Sequence, residues 1–164
     1  MKVHLKVADT IIPKPKGDRM NNHNFHIIPK SPINLITTAY PTIHTPQDLF
    51  DALLDLWSAD TCAPRMREKW NADTPTLGQC SITAFLAQDI FGGKVYGILR
   101  PGGNYHCYNV VGDCVFDLTS EQFGDEKLCY ENNPEQFREV HFAKDEKRRR
   151  YEDLCEKLKA YCEQ

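Results

Sequence analysis

The sequence predicts an α+β fold in which helices pack on a small antiparallel sheet. Three observations carry this expectation. Apolar residues recur at helical spacing in two stretches before residue 92, the period falls to two between residues 94 and 118, and helical spacing returns after residue 144.

Residues 1–44 read as an extended N-terminal arm, in part without fixed structure. They are rich in Pro, Asn, Lys and His, and Pro13, Pro15, Gly17, Pro29, Pro32 and Pro41 interrupt any regular element. The alternation Val3-Leu5-Val7 suggests a short first strand. His4, His23, His26 and His44 match no ligand spacing and read as solvated loop residues. The single folded domain then covers residues 45–164.

Thr45 is an N-cap, Pro46 suits the first helical position, and Asp48 complements the positive helix start. Leu49, Phe50, Leu53, Leu54 and Trp57 give this first helix its apolar stripe. The second helix runs from about Cys80 to Phe91, with Ile82, Phe85, Leu86 and Ile90 inward and Gly92-Gly93 as the stop. Lys94–Leu99, Tyr105–Val111 and Cys114–Leu118 are strands, and Gly112-Asp113 is a two-residue hairpin signal. The last helix starts near Lys144 and puts Tyr151, Leu154, Leu158 and Cys162 on one side. Its basic run, Lys147-Arg148-Arg149-Arg150, is interleaved with Asp145, Glu146, Glu152 and Asp153 and reads as a solvated face.

At 164 residues with 41% hydrophobic content, the chain supports one domain with one core. A formal net charge of -3 gives no bulk reason to expect nucleic acid or an anionic membrane as partner. No apolar run is long enough to span a bilayer, and Met1 to Lys6 lacks a signal-peptide pattern, so a cytoplasmic location is expected. Seven cysteines, an odd number in no paired framework, then read as reduced thiols: core residues, ligands or nucleophiles. No cofactor is implied.

Among the seven, Cys80 stands apart because it opens a helix. Unpaired N–H groups and the helix dipole stabilise a thiolate there, and the same N–H groups suit an oxyanion. The hairpin supplies the partners. With Gly112-Asp113 as the loop, Val111 pairs with Cys114, His106 lies opposite Thr119, and Asp117 lies opposite Tyr108. His106 and Asp117 are then diagonal neighbours on one face, about 7–8 Å apart at Cα. The same parity turns Cys107 away from His106 and makes it a poor nucleophile candidate. A thiol needs a base to ionise it, and the base needs a carboxylate to fix its tautomer; Cys80, His106 and Asp117 fit those catalytic roles in that order.

Plainer readings exist for each residue: a core cysteine, a buried strand histidine, an aspartate that caps a turn. A zinc site would draw on Cys80, His106 and Asp117, or on Cys107 and Cys114, but no C-x-x-C or H-x-x-x-H spacing supports one. Gln79 is a candidate side-chain donor to the oxyanion, and Trp70 a candidate floor for a substrate cleft. Asn109 points away from His106 and reads as structural.

The segment from Trp70 through Gly78-Gln79-Cys80-Ser81-Ile82-Thr83 to Gln88-Asp89 and Gly92-Gly93 resembles the opening signature of the YunG-like family. His106-Cys107-Tyr108-Asn109 and Asp117 to Phe123 resemble its second half. The resemblance covers roughly residues 46 to 160. It implies a group of bacterial proteins and no particular reaction. More distantly, a cysteine opening a helix, then a histidine on a strand, then an aspartate on the next strand resembles the transglutaminase-like and papain-like group. His106 to Asn109 and Asp117 to Thr119 are similar to the His-Ala-Trp-Asn and Asp-Pro-Thr segments of transglutaminase-like proteins. Tyr108 stands where those proteins usually have tryptophan, and no tryptophan follows Cys80. That likeness implies a transglutaminase-like/papain-like core and thioester chemistry on a peptide, an amide or a protein side chain. The alternative is a non-catalytic binding or regulatory module that uses Arg65, Arg67 and Trp70 as a partner surface.

Overall fold

A computed structural model of the chain describes residues 22–29 and 31–164. Thr45 caps α1 (Pro46–Leu56) in a full capping box with Asp48, and the stripe read from sequence puts Leu49, Phe50 and Leu53 wholly inside. Helix α2 (Cys80–Phe91) ends at Gly92 and is buried on most of its surface. Strands β2 (Lys94–Leu99), β3 (Tyr105–Val111) and β4 (Cys114–Asp117) follow as an antiparallel meander. The chain closes with α3 (Arg138–Phe142) and α4 (Asp145–Cys162).

Two further strands complete the sheet. β1 (His26–Ile28), from the segment expected to be an arm, pairs with β4 along one edge, and the short β5 (Glu135–Gln136) pairs with β2 along the other. The strand order is β1-β4-β3-β2-β5. The described part of the arm closes a turn from the Tyr40 carbonyl to the Ile43 N–H, and it supplies core residues: Tyr40 and Ile43 are buried, and Phe25 rests against Phe50 with ring centroids 4.8 Å apart. The Val3-Leu5-Val7 alternation and His4 lie outside the described residues.

The main core lies where α1, α2 and α4 meet the sheet. Leu49, Leu53, Ile82, Leu86, Ile90, Phe116, Leu154 and Leu158 are all essentially inaccessible, and each such side chain contributes about 1.5–3 kcal/mol over an exposed one. On the α2 side of the sheet, Cys107 and Val95 pack against Ala84 and Phe85. Asn109 donates from Nδ2 to the Ala84 carbonyl at 2.8 Å, the structural role its parity suggested. Trp57 donates to Thr83 Oγ1 at 3.0 Å and so ties α1 to α2. Among the described residues no helix is long and apolar enough to cross a membrane.

The basic run on α4 is a correction to the sequence reading. Arg148 and Arg149 are solvated and pair with Asp145, as expected of an outer face. Lys147 and Arg150, however, share the helix side that buries Leu154 and Leu158. Arg150 is buried, pairs with Glu146 and donates to the Thr61 carbonyl at 3.0 Å. Helical spacing, not charge, decides which members of the run turn inward.

Gly78 fixes how the chain enters α2. Its φ is +69°, and an added Cβ would sit 2.6 Å from Cys62 Sγ and 3.0 Å from the Ala63 nitrogen. Gly78→Ala is expected to lower stability by about 1–3 kcal/mol, read as a lower urea midpoint at an unchanged slope.

Candidate active site

The hairpin register is the one the turn residues imply. Val111 pairs with Cys114, Val110 with Val115 and Asn109 with Phe116. His106 and Asp117 therefore emerge on one face, the face away from α2, and their side chains meet: His106 Nε2 donates to Asp117 Oδ2 at 2.6 Å. Both are nearly inaccessible, at 2% and 1% exposure. Asp117 is held from several sides. The Thr119 backbone N–H donates to Oδ1 at 3.1 Å and the Tyr130 hydroxyl to Oδ2 at 2.9 Å. Phe123 meets the His106 ring edge to face at 4.6 Å, and Arg100 lies over Phe123 at 4.5 Å.

Cys80 approaches the start of β3 from the first turn of α2 and is partly exposed. Its sulfur lies 3.9 Å from the Tyr105 carbonyl and interacts with both the Cys107 thiol and the His106 ring. Asp117 occupies Nε2 of His106, which leaves Nδ1 as the nitrogen for Cys80. That atom is buried and makes no fully formed hydrogen bond.

The electrostatics follow from these contacts. A hydrogen bond from the Cys107 thiol, together with the His106 ring, outweighs burial and holds Cys80 well below an ordinary thiol. Burial opposes charge on His106, but Asp117 and Cys80 prevail, and its pKa rises to about 10. Cys107 moves the other way, because it donates to Cys80 and is itself buried. These directions favour a Cys80 thiolate beside a His106 imidazolium, with the proton of the two thiols on Cys107.

The cleft in front of Cys80 has a volume of about 680 Å³ and runs between the β2–β3 turn, the 3-10 turn at Pro64–Lys69 and the α3–α4 corner. Neither Gln79 nor Trp70 lines it. Gln79 is wholly buried, and its amide donates to the Ser58 carbonyl at 3.0 Å, so that donor is committed elsewhere. Trp70 donates from Nε1 to the Pro75 carbonyl at 3.1 Å.

Sequence reasoning missed several neighbours. The parity that turns Cys107 away from His106 also turns it toward α2, where Cys80 sits, so the two thiols meet. Tyr130 comes from a loop with no periodic signal. His26, expected to be solvated, stacks on Tyr130 with centroids 4.2 Å apart, and His23 Nδ1 lies 2.8 Å from Glu121 Oε2. Lys147 and His141 reach the cleft from the α3–α4 corner.

Fold and cleft together define a small α+β protein with a cysteine, a histidine and an aspartate gathered where α2 meets β3. The chain belongs to the YunG family: the model of that family, described as YunG protein, matches residues 45–163. It is 44% identical over 55 residues to the Uncharacterized protein YunG of Bacillus subtilis (strain 168), a stretch covering 34% of this chain and 47% of the relative. The match thus spans about half of the relative's length. No solved structure matches the chain.

The charge states predict a pH profile. The Cys80 thiolate is lost only as pH falls well below the ordinary thiol range of about 8.5, and the His106 imidazolium is lost as pH rises through about 10. Alkylation of Cys80 by iodoacetamide should rise at lower pH than alkylation of the exposed Cys129, hold level through neutrality and inflect again near 10. Site-resolved mass spectrometry over a pH series checks this.

Proposed function

We propose that the chain is a thiol-dependent acyl-transfer enzyme acting on an amide or a glutamine side chain through a thioester on Cys80. The observation that carries this reading is the Cys80–His106–Asp117 chain at the open end of β3, beside a cleft large enough for a substrate. The order of these residues along the sequence supports placing the core with the transglutaminase-like and papain-like group.

In the first step the Cys80 sulfur attacks the carbonyl carbon, the C–S bond forms, and the carbonyl electrons move to oxygen. Backbone N–H groups in the first turn of α2 are oriented to hold that oxyanion. The tetrahedral intermediate collapses, the C–N bond breaks, and Nδ1 of His106 gives its proton to the leaving amine. Water or a second amine then enters, losing a proton to the same nitrogen as it attacks the thioester, and the thiolate is restored. Asp117 keeps Nε2 protonated throughout and so directs Nδ1 at the reaction.

The non-catalytic module has less to stand on. Arg67 spends its guanidinium on the carbonyls of Ala59, Asp60 and Cys62, and the Trp70 indole is committed to Pro75.

The test is acid-quenched incubation with peptide amides and glutaminyl peptides, read by intact mass. The expected result is an acyl adduct on Cys80 that is absent in Cys80→Ser and formed roughly 10²–10⁴-fold more slowly in His106→Ala. A Cys80 that forms no adduct and reacts with iodoacetamide no faster than Cys129 would falsify the reading.

A further inference from the structure

The lining of the cleft is strongly basic in a chain whose formal net charge is -3. It includes Arg65, Arg100, Lys144, Lys147 and Arg150, and a single acid, Glu146. Two of the five cations are already neutralised. Arg100 makes a two-pronged pair with Glu126, at 2.9 and 2.8 Å, and Arg150 pairs with Glu146. Lys147, Lys144 and Arg65 have no carboxylate within ion-pair distance among the described residues. Lys144 and Arg65 are solvated rim residues, whereas Lys147 is half-buried beside the thiols.

Lys147 is also held in place. Its ammonium has only donors, so it donates to Nδ1 of His141 at 3.0 Å. That makes Nδ1 the acceptor, and Nε2–H of His141 donates to Gln136 Oε1 at 2.9 Å. Burial and the neighbouring Lys147 hold His141 neutral, with a pKa near 4, which suits the acceptor role. Phe85 packs against the His141 ring at 5.2 Å. Two ammonium protons of Lys147 remain unspent. Lys147 and Cys80 line the same cleft, and the Cys80 sulfur acts electrostatically on the ammonium, so Lys147 lies near the nucleophile. A half-buried cation held by a neutral histidine, with donors to spare and no carboxylate partner among the described residues, is an arrangement that an incoming carboxylate completes.

We infer that Lys147, positioned by His141 and Gln136, is the counter-ion for a substrate carboxylate, so that the cleft prefers acyl donors carrying a carboxylate near the reacting carbonyl. This rests on the thiol-transfer reading of Cys80. Lys147 touches the bound group and not the reacting atoms, so it sets specificity. The solvated cations Lys144 and Arg65 add attraction at longer range, which salt screens.

Two alkylating probes separate the inference from the reading beneath it. Iodoacetate and iodoacetamide undergo the same reaction: the thiolate sulfur bonds to carbon and iodide leaves. They differ in a carboxylate against a neutral amide of similar size. The quantity read is the iodoacetate-to-iodoacetamide rate ratio at Cys80, divided by the same ratio at Cys129 in the same molecule. Differences in thiolate population cancel in it. The expected value is about tenfold in favour of Cys80, or roughly 1.4 kcal/mol, near the solvent-screened end of what one close charge pair supplies. Lys147→Met should lower it several-fold, leaving the smaller part that His106, Lys144 and Arg65 supply, Lys147→Arg should keep most of it, and added salt should lower it in the wild type.

A wild-type ratio at or below that of Cys129 overturns the inference without any variant having to fold. So does a ratio unchanged in Lys147→Met. If Cys80 still outpaces Cys129 with iodoacetamide in either case, the thiol reading stands and only the carboxylate preference is lost. If that advantage is itself missing in the wild type, the thiol reading fails and the inference fails with it.

Discussion

His106 and Asp117 carry opposite charges, are almost fully enclosed, and lie 2.6 Å apart. Two ionised groups taken out of water are costly unless each finds a partner of good geometry and its remaining valences are satisfied. Much of this end of the molecule meets that condition. The Thr119 backbone takes one oxygen of Asp117, and Tyr130 shares the other with His106. Tyr130 is itself fixed twice, by the His26 ring stacked on one face and by its carbonyl accepting from Tyr108. Asn133 then donates to the Tyr108 hydroxyl. Strand β1 therefore contributes more than an edge, because it brings His26 to the residue that helps hold the carboxylate.

The pair exists only because of a two-residue loop. Side chains alternate along a strand, so one residue more or fewer at Gly112-Asp113 would send His106 and Asp117 to opposite faces of the sheet. The same alternation explains the second thiol. Cys107 faces α2, where it is buried with Ala84 and Phe85, and from there it reaches Cys80. One strand thus supplies an imidazolium from one face and a thiol donor from the other, and both stabilise the same sulfur. A cysteine farther along α2 would lose both neighbours and the favourable end of the helix dipole together.

The parts of this arrangement legible in the sequence are those with local causes. Thr45-Pro46 starts α1, Gly92 ends α2, Gly112-Asp113 sets the register, and Cys80 opens its helix. From these the cluster of Cys80, His106 and Asp117 can be placed with simple geometry. The residues that were not legible come from long-range closure. Nothing near Tyr130 in sequence signals that its hydroxyl meets a carboxylate. His26 stands among prolines and asparagines, a context that suggests a solvated loop, and its role appears only once β1 has paired with β4. Gln79 and Trp70 failed for a related reason. Each has a side-chain donor, and a backbone carbonyl in the connection between α1 and α2 claims it, Ser58 for Gln79 and Pro75 for Trp70.

Lys147 shows how a local rule can hide a site. Four consecutive basic residues interleaved with acids suggest a solvated face, and for Arg148 and Arg149 that is the outcome. Yet a helix turns through 100° per residue, so no four consecutive residues share a face. The apolar stripe of Leu154 and Leu158 already fixes which side of α4 faces the domain, and counting back by three and four residues leads to Arg150 and Lys147. Arg150 is neutralised by Glu146 and the Thr61 carbonyl. Lys147 bonds to a neutral histidine, and the α4 carboxylate that shares its cleft, Glu146, is taken by Arg150. The phase of the apolar stripe, more than the composition of the run, puts a positive charge without a carboxylate partner beside Cys80.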